Sequence, residues 1–223
     1  MRKFILCFIL VMIVFTTKSQ ETSLAWESAI AANYSIDQWD LNTSVGHRTL
    51  KLNQPDGSST EWAFFDLNQF ISRRLSPDFS IAIGYKYRRI DPIDHMGIIE
   101  QRITQQLAYT HLNDRIRLLS RFRAEQRFFT NVFEHRYRYR FSADMPLSGF
   151  EIDVKEFYVL ASNEVLLTFS NEDYILDNRI NIGIGYVATH FLRLQLDLTQ
   201  RSENLNQSAI QIPFITSSAV FKL

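Results

Sequence analysis

The sequence predicts an all-β fold: an antiparallel up-and-down transmembrane β-barrel of ten to twelve strands. Three observations carry that expectation. Apolar and polar residues alternate with a period of two along most of the chain. The alternating segments mostly run to ten residues or more, against about 5 to 6 for strands of soluble proteins and about 9 to 11 for a tilted strand that crosses a bilayer. An export leader precedes them, and no cysteine follows it. Long alternating strands also occur in soluble barrels, so the convergence of the three decides the reading.

The leader is "MRKFILCFILVMIVFTTKSQ": Arg2 and Lys3, an uncharged run from Phe4 to Phe15, then the small-residue pattern Thr17-Lys18-Ser19. This is the layout of a secretory signal peptide, residues 1–19, with cleavage expected after Ser19 and a single barrel domain over 20–223. The apolar run is about twelve residues, short of the roughly 20 a spanning helix needs. Cys7 is the sole cysteine and lies inside the leader, too early in the apolar run for a lipoprotein signal, so the mature chain is expected to hold no disulfide. Stability must then come from a large core or a closed barrel. Cleavage removes three basic residues and no acidic one, leaving 21 against 24, a net charge of about −3.

Turn residues divide the remainder into strands over 24–35, 39–52, 61–74, 79–90, 98–111, 115–129, 133–144, 150–160, 178–189, 191–201 and 208–222. A short twelfth, 164–169, is added if Ala161–Glu164 turns. The breaks are "NQPDGSST", "SPD", "DPIDHMG", "ND", "PLSG" and "SENLNQ". In "FSIAIGYKYRR" Phe79, Ile81, Ile83, Tyr85 and Tyr87 share one face, and Ser80, Ala82, Gly84, Lys86 and Arg88 the other. "NRINIGIGY" and "FLRLQLDLTQR" repeat the arrangement, Leu192, Leu194, Leu196 and Leu198 opposing Arg193, Gln195, Asp197 and Thr199.

The most informative segment is Arg115–Leu147. Arg115, Arg117, Arg121, Arg123, Glu125 and Arg127 share one parity, broken by Leu119; Glu134, Arg136, Arg138 and Arg140 share one on the next strand, and aromatic and aliphatic residues fill the opposite parities. A lipid-facing arginine at the bilayer midplane costs roughly 2 to 4 kcal/mol, so in a barrel these side chains must face the lumen. There they need carboxylates. Glu100, Glu125, Glu134, Glu151 and Asp153, with Glu156 a further candidate, share the polar parity, and a guanidinium fork pairs well with carboxylates in a low dielectric. The expected site is therefore a lumen charge network of Arg117, Arg121, Arg123, Glu125, Arg127, Glu134, Arg136, Arg138, Arg140, Glu100, Glu151 and Asp153.

"WESAIAANYSIDQWDL", "AIGYKYRR", "RFRAEQRF", "EHRYRYRF" and, after "SNEVLL", "DNRINIGIGY" together resemble a bacterial family of exported, outer-membrane-barrel-like proteins defined only as a domain of unknown function. The resemblance covers essentially the whole mature chain and rests on the order of motifs that are individually unspecific. It implies a barrel fold and an envelope location, and brings no catalytic residue.

Catalytic and metal signals are weak. The histidines are His47, His95, His111, His135 and His190, without the close spacing of metal ligands. Ser44 lies three residues before His47, which on a regular strand places the two on opposite faces. No catalytic residue, metal or cofactor is expected. "GIGYVA" lies inside a strand and is not a phosphate loop. Arginine interleaved with aromatics describes some single-strand-binding sheets, but here strict alternation separates the two to opposite faces, and the mature charge is negative, so no nucleic-acid partner is expected. The expectation is an outer-membrane barrel of structural, small-solute permeation or ligand-binding type, with membrane lipid as its partner. A barrel-embedded lipid-modifying enzyme and a soluble periplasmic barrel for an apolar ligand are the alternatives.

Overall fold

Alternation with a period of two is resolved by closing one long sheet on itself. In the computed structural model, which describes residues 24–54, 57–92, 97–170 and 173–223, eleven strands form a single closed barrel. They are β1 (Leu24–Ile36), β2 (Trp39–Gln54), β3 (Gly57–Arg74), β4 (Phe79–Ile90), β5 (Ile99–Asn113), β6 (Ile116–Phe128), β7 (Phe133–Pro146), β8 (Phe157–Ser170), β9 (Asp173–Val187), β10 (Leu192–Glu203) and β11 (Ile210–Lys222). Each is antiparallel to its neighbour in sequence, and β1 closes the barrel against β11 in parallel, from Ala25 opposite Phe214 to Asn33 opposite Lys222. An odd number of up-and-down strands requires one such parallel seam, so the uniformly antiparallel ladder expected from the sequence is interrupted once.

Two sequence expectations shift. The strand expected at 150–160 begins at Phe157, and β8 then runs without a break to Ser170. Ala161–Glu164 is therefore strand interior, and the short twelfth strand is the second half of β8. Residues 147–156 form the β7–β8 connection, where Gly149 and Lys155 hold positive φ angles of 66° each. The apolar alternation of Phe150, Ile152 and Val154 cannot build a ladder through such a backbone. The two-residue connection at Asp37–Gln38 and the one at Asp114–Arg115 each begin with an aspartate at positive φ, 51° and 55°, which a short polar side chain tolerates better than most. The expected leader, part of the "NQPDGSST" turn and His95 lie outside the described residues.

Side chains sort by parity. Trp26, Ile30, Val45, Leu67, Ile83, Leu107, Phe122, Tyr139, Val165, Ile182 and Leu196 are exposed on the outer surface, along with apolar residues from every strand. The interior is mostly polar. Its buried members include Asp66, Glu100, Arg102, Glu125, Glu164, Asp177, Asp197 and Arg201, with a few apolar side chains such as Phe64, Tyr158, Leu166 and Phe214 among them. Two glycines give the interior room for rings: Gly84 lies opposite Phe70 and Gly185 opposite Tyr158. A Cβ at either would fall onto the facing ring.

Candidate functional site

The lumen wall formed by β5 to β8 carries a continuous ion-pair belt. Strand pairing places Arg102 beside Arg127, Arg123 beside Arg138 and Arg121 beside Arg140, and like charges directly opposite are unfavourable unless acids intervene. Three nearly inaccessible glutamates do so: Glu100 at 0%, Glu125 at 2% and Glu164 at 1% exposure. Arg102 donates to Glu100 at 2.5 Å and to Glu125 at 3.1 Å. Arg127 donates to Glu100 at 2.8 Å and pairs with Glu134. Arg138 bridges Glu125 and Glu164 at 2.8 and 2.7 Å, and Arg140 adds Nε to Glu164 at 3.1 Å. Each glutamate thus serves at least two guanidinium groups, which buried charges need if they are not to remain uncompensated.

The opposite wall uses rings as well as acids. Glu27 accepts from Arg48 and, at 2.7 Å, from Arg201, while Asp66 accepts from Lys86 at 2.9 Å and Arg88 at 2.6 Å. Arg88 lies 3.6 Å from the Phe64 ring centre, Arg48 lies 4.5 Å from Phe64 and 4.6 Å from Phe214, and Arg201 lies 3.8 Å from Phe214. Guanidinium and ring thus alternate through five side chains, held by the attraction of a cation to the ring face. Phe64 enters the lumen on the same parity as Asp66, Asn68 and Phe70 of β3, and the ladder sets it opposite Arg48, beside the point where the β2–β3 register shifts.

Between the walls lies a chamber of about 300 Å³ to which every strand except β8 contributes. Ten cationic side chains line it against two carboxylates, Glu27 and Asp66. A second chamber of about 160 Å³, lined by Arg117, Tyr158, Arg193 and Asp197 among others, shares Arg140 with the first. There Tyr158 donates to Gln195 at 2.9 Å, and Gln195 donates to Asp197.

Of the network residues expected from the sequence, Glu100, Arg121, Arg123, Glu125, Arg127, Glu134, Arg136, Arg138 and Arg140 come together in the lumen. Arg121 is 3.7 Å from Glu164, Arg123 donates to Gln106 at 2.7 Å and Arg136 to Thr168 at 2.7 Å. Arg117 pairs with Asp144 at 2.9 Å nearer one rim and is about half exposed. Glu151 and Asp153 lie in the β7–β8 connection, exposed and outside the belt. Glu156, the further candidate, is there too, accepting from the Asp153 backbone NH at 3.3 Å. Sequence reasoning missed Glu164, the acid with the most arginine partners, together with Arg102, Glu27, Asp66, Arg48, Arg179 and Arg201. The signal for Glu164 was available as the shared parity of Tyr158, Ser162, Glu164 and Thr168.

His111 stacks on Tyr109 and His135 packs edge-on against Phe133, both on the outer surface, while His190 sits in the β9–β10 connection. Ser44 and His47 hold opposite parity on β2. Among the described residues no group of three or more histidine, cysteine, aspartate or glutamate side chains is arranged to hold a metal ion.

A family model described as "Protein of unknown function (DUF2490)" matches residues 24–210. No curated protein matches, and neither does any solved structure.

Proposed function

The chain belongs to the DUF2490 family of proteins of unknown function, and from that premise and the polarity of its barrel we propose that it is an outer-membrane β-barrel that holds a small solute in an ion-paired lumen. The observation that carries the reading is the inversion of polarity across one sheet, apolar outside on every strand and charged inside. Exposed apolar surface on this scale far exceeds the few hundred Å² that soluble monomers tolerate, and hydrocarbon is the environment that suits it.

The vertical distribution supports the same reading. Tyr34, Trp39, Phe79, Tyr109, Phe157 and Phe191 ring one end of the outer surface, and Trp26, Phe65, Phe128, Phe133 and Tyr174 lie toward the other. On β8 the two levels are marked by Phe157 and Phe169. Twelve residues of strand at the tilt usual for membrane barrels rise about 30 Å, the thickness of a bilayer's hydrocarbon core. Aromatic residues at both levels match the girdles of such barrels. A soluble barrel for an apolar ligand would call for the reverse polarity. The crowded arginine–glutamate belt favours a filled lumen that binds over an open pore.

Fractionation tests the location: the protein should remain with the envelope until detergent is added and shift on a gel when boiled, because a closed barrel has no free edge from which to unravel. Release by osmotic shock without detergent would overturn the membrane reading. In planar bilayers the filled lumen should give no steady open-channel current, and a persistent large conductance would contradict it.

A further inference from the structure

We infer that the larger lumen chamber is a binding site for a small multivalent oxyanion, a compound bearing phosphate or several carboxylate groups, held by Arg123, Arg136 and Arg179. The inference rests on the solute-holding reading above and names the chemistry of the solute.

The charge balance of the chamber leads there. Of its ten cationic side chains, Arg48 and Arg201 are taken by Glu27, and Lys86 and Arg88 by Asp66. Arg102, Arg138 and Arg140 turn to Glu100, Glu125 and Glu164 in the belt. Three remain. Among the described residues neither Arg123 nor Arg136 has a carboxylate within ion-pair distance, their side-chain partners being the neutral Gln106 and Thr168. Arg179 reaches only Glu164, at 4.0 Å, and that carboxylate already serves Arg138 and Arg140. These are the three long side chains of the cavity lining that have no acid of their own.

Donors point the same way. The Nε atoms of Arg88, Arg138, Arg179 and Arg201, all chamber-lining residues, are buried without a hydrogen-bond acceptor. Buried donors are ordinarily satisfied; the Nε atoms of Arg115 and Arg121 outside the chamber are also without an acceptor, and the four on chamber-lining residues are those an acceptor in the chamber would lie nearest. Guanidinium forks match the paired oxygens of phosphate and carboxylate, and they bind these better than a halide because each oxygen can accept two or more N–H groups. Three arginines without an acid of their own, beside four cations that share only Glu27 and Asp66, call for a multivalent anion. The volume, about 300 Å³, lies at the small end of ligand pockets, where a compact anion fits and a lipid does not.

Pyrophosphate and citrate serve as the two probes, titrated calorimetrically into the full-length folded protein in detergent at low salt. Binding of either, weakened by added sodium chloride, is the expected result. Arg123→Gln and Arg136→Gln should each weaken it by about tenfold or more, the worth of one charge-assisted hydrogen bond or pair, while Arg117→Gln, outside the larger chamber, should leave it unchanged. Preference for pyrophosphate assigns a phosphate compound, and preference for citrate a polycarboxylate. The boiled-versus-unboiled gel shift certifies that each variant is folded, and Arg179→Gln replaces any that is not. Failure of both probes to bind to a protein that still shows the gel shift overturns the anion site alone, as does unchanged affinity in the folded arginine variants. Binding by a protein that needs no detergent overturns the membrane location and leaves the anion site standing.

Discussion

The two walls of the lumen hold arginine in different ways. From β5 to β8 Arg102, Arg127, Arg138 and Arg140 are fixed by carboxylates, three of them almost inaccessible; around the parallel seam Arg48, Arg88 and Arg201 rest on the faces of Phe64 and Phe214 as well as on Glu27 and Asp66. The first arrangement depends on every member, because removing one of Glu100, Glu125 or Glu164 strands two or more cations. The second spreads the attraction over ring faces, which cost little to bury, and tolerates the loss of one partner. A barrel can therefore be rigid on one side of its lumen and adaptable on the other, with Arg123 and Arg136 left under-compensated within the ionic wall and Arg179 on β9 beside it.

Substitutions can break that contrast. Glu164→Ala should have the largest effect, since Arg138 and Arg140 both donate to it; leaving them buried without that partner is expected to cost roughly 3 to 5 kcal/mol in urea unfolding from detergent. A loss below about 1 kcal/mol would mean that water screens the belt as it does a surface pair, and the two walls would then not differ. Phe64→Leu keeps most of the volume but removes the ring beneath Arg88 and Arg48, and should cost roughly 1 to 2 kcal/mol by the same assay. If it equals Glu164→Ala, the aromatic wall is as brittle as the ionic one. Arg117→Gln, at a side chain about half exposed and paired with Asp144, should cost no more than about 1 kcal/mol and sets the baseline.

The ionic wall was largely legible in the sequence and the aromatic wall was not. In β6 and β7 arginine recurs at every second position, so a single physical rule, that charge cannot face lipid, fixes the direction of the whole set. Glu164 escaped because Ser162-Asn163-Glu164 resembles a turn when read locally, and only pairing with β7 and β9 keeps the strand straight there. Glu151 and Asp153 erred the other way: they alternate correctly with Phe150 and Ile152, yet the positive φ angles at Gly149 and Lys155 take them out of any ladder. Phe64 and Phe214 defeat the rule that assigns aromatics to the lipid side. Phe64 shares the parity of Asp66 and Asn68, and Phe65 that of Leu67, so the alternation of β3 turns Phe64 inward, but nothing in that alternation shows that its ring will lie against Arg48 and Arg88 of the neighbouring strands.

The central claim is the polarity of the wall, and a probe on alternate residues of β6 tests it most directly. Cys7 is the sole cysteine and lies in the expected leader, so a single cysteine can be placed at Phe122 or at Arg121 and labelled with a fluorophore after reconstitution into vesicles containing lipid-borne quenchers. Phe122 is exposed on the outer surface and Arg121 faces Glu164 in the lumen. The label at Phe122 should be strongly quenched, and the label at Arg121 should be shielded, because only the outward face of a membrane barrel touches acyl chains. Protection at Phe122 together with free access from water at Arg121 would contradict the account, since the charged face would then be the outside of the molecule.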